Sequence, residues 1–290
     1  MKKHNKPYVE WLLTLPSLGW LTLFFIIPTI IVFAIAFKPA GVNGGIGEGW
    51  TLESIRNLAQ PSYPEIIFRT IWISVVATAV CLFLSTPVAY WLALQPPQRR
   101  QWLMLLIILP FWTNFLIRIF AWKTLLHSEG WLKYALVSLG LVSPDAILLY
   151  NSGAILVVLI YTYLPFAILP IYAAAEKFDF SLIDAAHDLG ASRIHAFFSI
   201  FVPGIRTGLF TALMVVLIPA LGSYAIPDIV GGASSEMIGN KIAQRTFVDR
   251  NLPHASALSA CLALAVLIPM MISLIGRDRR FTKKTGGKKA

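Results

Sequence analysis

Ser181-Leu182-Ile183-Asp184-Ala185-Ala186-His187-Asp188-Leu189-Gly190-Ala191-Ser192-Arg193-Ile194, continued by Phe197-Phe198-Ser199-Ile200-Phe201-Val202-Pro203, is the most informative stretch of this 290-residue chain. Ser181 with Asp184 three positions later has the form of a capping box, with Asp where Glu or Gln is usual. A short helix follows and stops at Gly190, a residue free to take the left-handed conformation that ends helices. Ser192 is placed to cap a second helix, and Ile194, Phe197, Phe198 and Phe201 are expected to share one face of it. The product is a helix–glycine–helix elbow that offers small and apolar side chains. Two readings are open for it: a docking surface whose helix lies in a partner's groove, and an interfacial helix pressed on lipid.

What flanks the elbow fixes the class of the protein. The chain is 57% hydrophobic and 13% charged, with a mean hydropathy of +0.71, whereas soluble domains carry roughly 25% charged residues. The apolar residues come in blocks longer than the ~20 residues that cross a bilayer. Six spans are predicted, at 11–37, 68–94, 102–126, 147–174, 205–228 and 255–276, within one membrane domain at 11–276. They follow a short N-terminus at 1–10 and precede a basic tail at 277–290. The run from Trp11 to Phe37 is too long for the core of a cleaved signal and is expected to be the first span. The fold class is therefore all-α integral membrane.

An even number of spans puts both termini on one side. Fifteen of the 24 Lys and Arg residues then fall on that side, in the N-terminus, at Arg99 and Arg100, in the 176–206 loop and after Gly276. By the positive-inside rule both termini are cytoplasmic, and the tail (Arg277, Arg279, Arg280, Lys283, Lys284, Lys288, Lys289) is an anchor on anionic lipid. The formal charge of +10 is thereby accounted for without nucleic acid. Cys81 and Cys261 lie inside apolar blocks and are expected to be small buried residues. The five histidines show no metal-ligand spacing. Thr51 is expected to cap a short helix over 51–59. Trp131, Ala135, Leu136 and Leu139 form one stripe of an interfacial helix ending at Gly140, and 231–250, opening on Gly231-Gly232, is expected to dip back toward the membrane. The glycine-rich 41–49 is a loop. No phosphate-binding G-x-x-x-x-G-K-[S/T] occurs in the chain, so it is expected to bind no nucleotide or metal and to have no catalytic residues of its own.

Polar groups inside spans are costly and each demands a reason. The third predicted span carries Trp112, Asn114 and Arg118, the last two on one helix face; the fourth carries Tyr163; the fifth carries Tyr224 and Asp228 toward its outer end. Aromatic rings and a carboxylate suit a flexible organic cation. Arg118 opposes that unless it pairs with an acid such as Asp228.

The elbow resembles the EAA loop of ABC importer permeases, a Glu-Ala-Ala run followed by Gly, Ile and Pro at fixed spacing, here Asp184-Ala185-Ala186, Gly190, Ile200 and Pro203. The position between spans four and five agrees. Asp184 replaces the usual Glu, and the family's later second proline is absent. The resemblance implies a type I importer permease fold whose loop is a coupling helix seated in a cleft of the ATPase, with Asp184, Ala185, Ala186, Gly190, Ile194, Phe197 and Pro203 as its contacts. Pro110–Arg118, Tyr163-Leu164-Pro165-Phe166, Asp228 with Gly231-Gly232, Ile238-Gly239-Asn240 and Pro253 are similar, more narrowly, to spermidine/putrescine permeases of PotB type, from about Trp11 to Ile275. That likeness implies a second permease subunit of PotC type, two copies of an ATP-binding ABC subunit that hold ATP and Mg, and a periplasmic or lipid-anchored polyamine-binding protein. Related permeases for aminophosphonates, other organic cations or iron share parts of the pattern. A secondary transporter would call for mid-membrane acids and inverted repeats, and neither is seen.

Overall fold

The computed structural model describes residues 7–41, 44–60 and 62–286. The N-terminal lysines and residues 287–290 of the basic tail lie outside the described residues. In chain order the helices are α1 (Pro7–Leu21), α2 (Ile27–Ile35), α3 (Glu53–Arg56), α4 (Ser62–Ala93), α5 (Pro97–Ile108), α6 (Phe115–Leu126), α7 (Trp131–Ser138) and α8 (Ser152–Ala175). They continue with α9 (Ser181–Asp188), α10 (Arg193–Ala196), α11 (Val202–Gly204), α12 (Arg206–Leu221), α13 (Ala225–Val230), α14 (Ile238–Ala243) and α15 (Leu252–Gly286). Among the described residues there is no β-strand, only an isolated bridge between Ala40 and Ile46 in the glycine-rich loop.

Among the described residues, three helical stretches are long and apolar enough to cross a bilayer: Thr14–Ile35, Ser62–Ala93 and Ser152–Ala175. Two bent helix pairs pass the same test when each pair is taken together. Pro97–Trp112 and Phe115–Leu126 meet at 87°, and Arg193–Gly204 meets Arg206–Leu221 at 72°. The third predicted span is thus no straight helix. Its break has a local cause: Pro110 has no N–H to continue the helix, the Thr113 hydroxyl turns back to the Pro110 carbonyl at 2.7 Å, and Asn114 caps α6 by accepting from Leu116 N–H at 2.8 Å. The fifth predicted span likewise stops early, at Leu221, and resumes past Gly222-Ser223 as α13. Leu252–Ile268 is a shorter apolar run within α15.

The chain divides into two compact units, Glu65–Asn240 and the remainder formed by Met1–Pro64 with Lys241–Ala290. In the second of these, α15 packs on α2 and α3. The Thr51 hydroxyl accepts from Glu53 N–H at the start of α3, as its position in the sequence leads one to expect. Tyr63 stacks against buried His254 and accepts a hydrogen bond from Arg245, which also pairs with Asp249.

The unit Glu65–Asn240 is built on close contact between α8 and α12. Gly208, Ala212, Val216 and Ala220 recur every four residues along α12 and are all buried. A Cβ on Gly208 would lie 2.5 Å from the Ala174 Cβ, so the helices approach as nearly as backbones allow. Small residues at such a seam are how helices associate where lipid gives no hydrophobic drive. α4 contributes a parallel device: Thr70, Ser74, Ala77, Cys81, Ser85 and Ala89 form a buried stripe along its length, while Phe68, Trp72, Phe83 and Trp91 stay exposed. Bulky apolar groups outside and small groups inside suit a helix with lipid on one side. α7 ends at Gly140 (φ 67°) as expected; of its predicted stripe, Trp131 and Leu139 are exposed and Ala135 and Leu136 half-buried.

Candidate functional site: a helical elbow and a broken span at opposite ends of α4

The elbow begins with a cap that differs from the expected one. Asp179, not Ser181, opens α9, its carboxylate accepting from Ser181 N–H at 3.0 Å. The Ser181 hydroxyl first, and this N–H second, hold the exposed Asp179 carboxyl below its ordinary pKa. The Asp184 N–H donates to Phe180 O at 3.3 Å, and its carboxylate does not close the expected box. The reason is register: the helix starts one turn-residue earlier than the Ser–Asp pattern requires, with Phe180 at its boundary.

The C-terminal end is as the sequence led us to expect. Gly190 has φ 86°, Gly190 N–H donates to His187 O at 2.9 Å and Ala191 N–H to Ala186 O at 2.9 Å. These are the two bonds of a Schellman stop. No atom lies within 4 Å of a would-be Gly190 Cβ, so only the backbone angle calls for glycine here. Ser192 caps α10 through His195 N–H.

The four apolar residues expected on one face divide between two. A π-helical turn at Phe197–Phe201 takes up an extra residue, so Phe197 and Phe201 turn inward while Ile194 and Phe198 turn outward. The inward pair joins Phe178, Phe180 and Tyr90 of α4 in an aromatic cluster. Tyr90 alone meets Phe201, Phe197 and Phe180 at 4.8, 5.3 and 5.9 Å between ring centres. Outward stand Leu182, Leu189 (89% exposed), Ile194 (73% exposed) and Phe198. Asp184 and Ala185 are exposed, Pro203 is exposed, and Ala186 is buried within the chain. A groove of about 600 Å³ runs along this surface, with Tyr90, Asp184, His187, Arg193 and Ile194 on its walls. At its root Arg100 pairs with Glu176 at 3.1 Å and lies over the Tyr172 ring.

The other predicted site residues lie outside the elbow, on α6, α8 and α13 and the segments that precede them. Trp112 is exposed at the end of the first half-span. Asn114 and Arg118 do not share a mid-span face: Asn114 is the cap of α6, and Arg118 follows in its first turn. Arg118 lies over the Phe111 ring at 4.4 Å, with Nε and Nη1 buried and unbonded. It does not pair with Asp228. That carboxylate is exposed and receives Asn240 Nδ2 at 3.5 Å, because the break at Gly222-Ser223 moves α13 out of line with α12. Asn240 also donates to Tyr224 O at 3.1 Å and accepts from Met237 N–H at 3.2 Å. Tyr224 is half exposed, and Tyr163 lies within hydrogen-bonding reach of Ser223. The segment is tied to α4 by Ile238 N–H, which donates to the buried Thr70 hydroxyl at 2.9 Å, and by Arg69, which reaches Glu236 O.

Asn240, Thr70 and Tyr90 are the structural residues that the choice of sites from sequence passed over. Asn240 stands in the Ile238-Gly239-Asn240 run and was legible there. A tyrosine and a threonine within an apolar span carry no such mark. Among the described residues, no three His, Cys, Asp or Glu side chains gather as a metal site would require.

A small-residue seam, two sharply bent helix pairs and an exposed elbow make up this helical fold, and the fold has counterparts among solved structures of ABC transporters. The structure is similar to a chain of a bacterial alginate ABC transporter in complex with an alginate pentasaccharide-bound periplasmic protein, with a TM-score of 0.70 at 16% identity over 95% of this chain and 96% of that one. No family model matches. The chain belongs to the PotB family of permease proteins. It is 34% identical over 266 residues, 92% of either chain, to the spermidine/putrescine transport system permease protein PotB of Haemophilus influenzae. It is 33% identical to that of Escherichia coli, over 92% of this chain and 96% of the relative. A further Escherichia coli protein, the inner membrane ABC transporter permease protein YdcU, is 29% identical over 78% of this chain and 75% of its own.

Proposed function

We propose that this chain is the membrane-spanning permease subunit of an ATP-driven polyamine importer. It forms the solute path and holds no nucleotide itself. The observation that carries the reading is likeness to spermidine/putrescine permeases at 34% identity over 92% of the chain. Six spans with both termini cytoplasmic fit the three unbroken stretches, the bent pair Pro97–Trp112 with Phe115–Leu126, the helix Arg206–Leu221 and the apolar part of α15. The elbow then faces the cytoplasm, and its outward Leu182, Leu189 and Ile194 seat it in an ATP-binding subunit, with Asp184 and Ala185 at the rim. Gly190 shapes the elbow, Phe197 and Ala186 hold it to the spans, and Pro203 stands exposed beside them. Two such ATPases bearing ATP and Mg, a second permease of PotC type and a polyamine-binding protein complete the machine.

The cycle follows. A loaded binding protein docks outside, ATP closes the ATPase pair, and the elbow passes that closure to the spans. Solute enters past Tyr224, Asp228 and Tyr163, whose rings and carboxylate suit an organic cation, and leaves inward after hydrolysis. Arg118 supports a second reading. A guanidinium stacked on Phe111 with no carboxylate partner among the described residues would draw a solute that also carries an anionic group, such as an aminophosphonate.

The test is ATP-dependent uptake of labelled spermidine by vesicles holding the whole complex, with putrescine and an aminophosphonate as competitors. Saturable uptake blocked by putrescine alone is expected, with Asp228→Asn raising KM about tenfold while the complex assembles normally. Active ATP hydrolysis with no spermidine uptake overturns the polyamine assignment, and competition by the aminophosphonate favours the Arg118 reading.

A further inference from the structure

The elbow is joined to α8 and α12 by the chain itself, but α4 meets it only through side chains. Those contacts are concentrated at Tyr90, whose ring touches three phenylalanines of the elbow from one position. The Arg100–Glu176 pair nearby is partly exposed to solvent, where such pairs contribute little, so the aromatic socket is the firmer attachment. From Tyr90, α4 is helical without a gap to Thr70, 20 residues earlier, a length of about 30 Å at 1.5 Å per residue. That matches the hydrocarbon thickness of a bilayer, roughly 30 Å.

At this far end the buried Thr70 hydroxyl holds Ile238 N–H, and Arg69 holds the Glu236 carbonyl. Two residues beyond Ile238 stands Asn240, which bonds both Asp228 and the Tyr224 carbonyl. One helix therefore touches the elbow at one end and the segment carrying the exposed carboxylate at the other. Its buried face is lined along this length by small side chains, Ser74, Ala77, Cys81, Ser85 and Ala89. Pro87 removes one backbone bond near the Tyr90 end, and the Ser85 and Thr86 hydroxyls both turn to the Leu82 carbonyl there.

We propose that α4 is a strut that carries movement of the 176–206 elbow across the membrane to the 222–240 segment, with Tyr90 and Thr70 as the positioning residues at its two ends. The proposal rests on the reading of the elbow as the seat of the ATPase. Tyr90 acts through its ring and Thr70 through its hydroxyl, so each has a conservative variant that keeps the contact.

The experiment uses the full complex in nanodiscs with a spin label at Ser234→Cys, an exposed position of the far segment, after Cys81→Ala and Cys261→Ala. Label mobility is read with and without ATP and vanadate, beside labelled-spermidine uptake per ATP hydrolysed. The ATP-driven change is expected in the otherwise unmodified complex and in Tyr90→Phe and Thr70→Ser. In Tyr90→Ala and in Thr70→Val the change is expected to vanish, with uptake per ATP down about tenfold, while ATP is still hydrolysed. The double variant should be no worse than the worse single one. A label response that persists in both Tyr90→Ala and Thr70→Val overturns the strut, as does its absence in the unmodified complex. Failure of the underlying reading is recognised apart from any label: the ATPase would co-purify with Gly190→Pro, and hydrolyse ATP, as it does with the unmodified chain.

Discussion

The two ends of the unit Glu65–Asn240 use glycine for opposite reasons. In the elbow, Gly190 stands in open space and is needed for its φ of 86°. In the far segment, Gly231 and Gly232 have ordinary negative φ, but an added Cβ would run into Pro227 and Ile155 or into the Tyr150 backbone. Gly239 is equally closed in, with the Ser223 carbonyl 2.5 Å from its would-be Cβ. One region is a surface held in shape by its own backbone bonds. The other is a packed plug held by its neighbours, down to Tyr150 N–H bonding the Val230 carbonyl from a left-handed φ of 61°. Under the proposed function, the elbow must stay uncovered to dock, whereas the far segment, bearing on the solute path, must be fixed against the spans.

The largest effect is expected in the closely packed far segment. Gly239→Ala places a methyl against backbone that cannot turn aside, an overpacking cost of about 1–3 kcal/mol. It should lower both the yield and the thermal midpoint of detergent-solubilised protein, as followed by fluorescence-detected size exclusion. An unchanged midpoint would break the comparison, since the far segment would then be as open as the elbow. Gly190→Pro comes next and should act on function rather than on folding. Proline cannot adopt the positive φ and lacks the N–H given to His187 O, so the Schellman stop is lost. Uptake should disappear at normal expression, and Gly190→Asn, which tolerates that backbone region, should restore much of it.

The smallest effect belongs to the Asp179 cap. Its carboxyl titrates below the ordinary carboxylate value because the Ser181 hydroxyl, and then the Ser181 N–H, bond the ionised form. The cap's contribution is therefore complete above that ordinary value and is lost as pH falls through the lowered one. Exchange of the Ser181 amide should quicken only in that acid window, and Asp179→Ala should quicken it at every pH. An amide insensitive to both would mean the elbow is held by its aromatic cluster alone.

How far the site was legible differs residue by residue. The Gly190 stop and the Ser192 cap were readable because capping is local chemistry within four residues. The Ser181–Asp184 box failed on the same scale: Asp179 competes for the same N–H and lies one step better placed. Ile194, Phe197, Phe198 and Phe201 were assigned one face by ordinary helical periodicity, which the π-turn interrupts. Arg118 and Asp228 were natural partners by charge, yet one stacks on Phe111 and the other meets Asn240, because each follows a break that redirects its helix.

By itself the sequence determined that this chain is a helical membrane protein, where its apolar blocks lie, and that an elbow with a glycine stop interrupts them. Those properties follow from composition, run length and bonds between near neighbours. Only the tertiary structure decided that two helix pairs are sharply bent, which face of the elbow is free, and that α4 touches both ends of the unit. The hydrogen bond from Ile238 to Thr70 joins residues 168 positions apart. No local pattern specifies such a contact; it exists because the fold brings the start of α14 against the buried hydroxyl of Thr70.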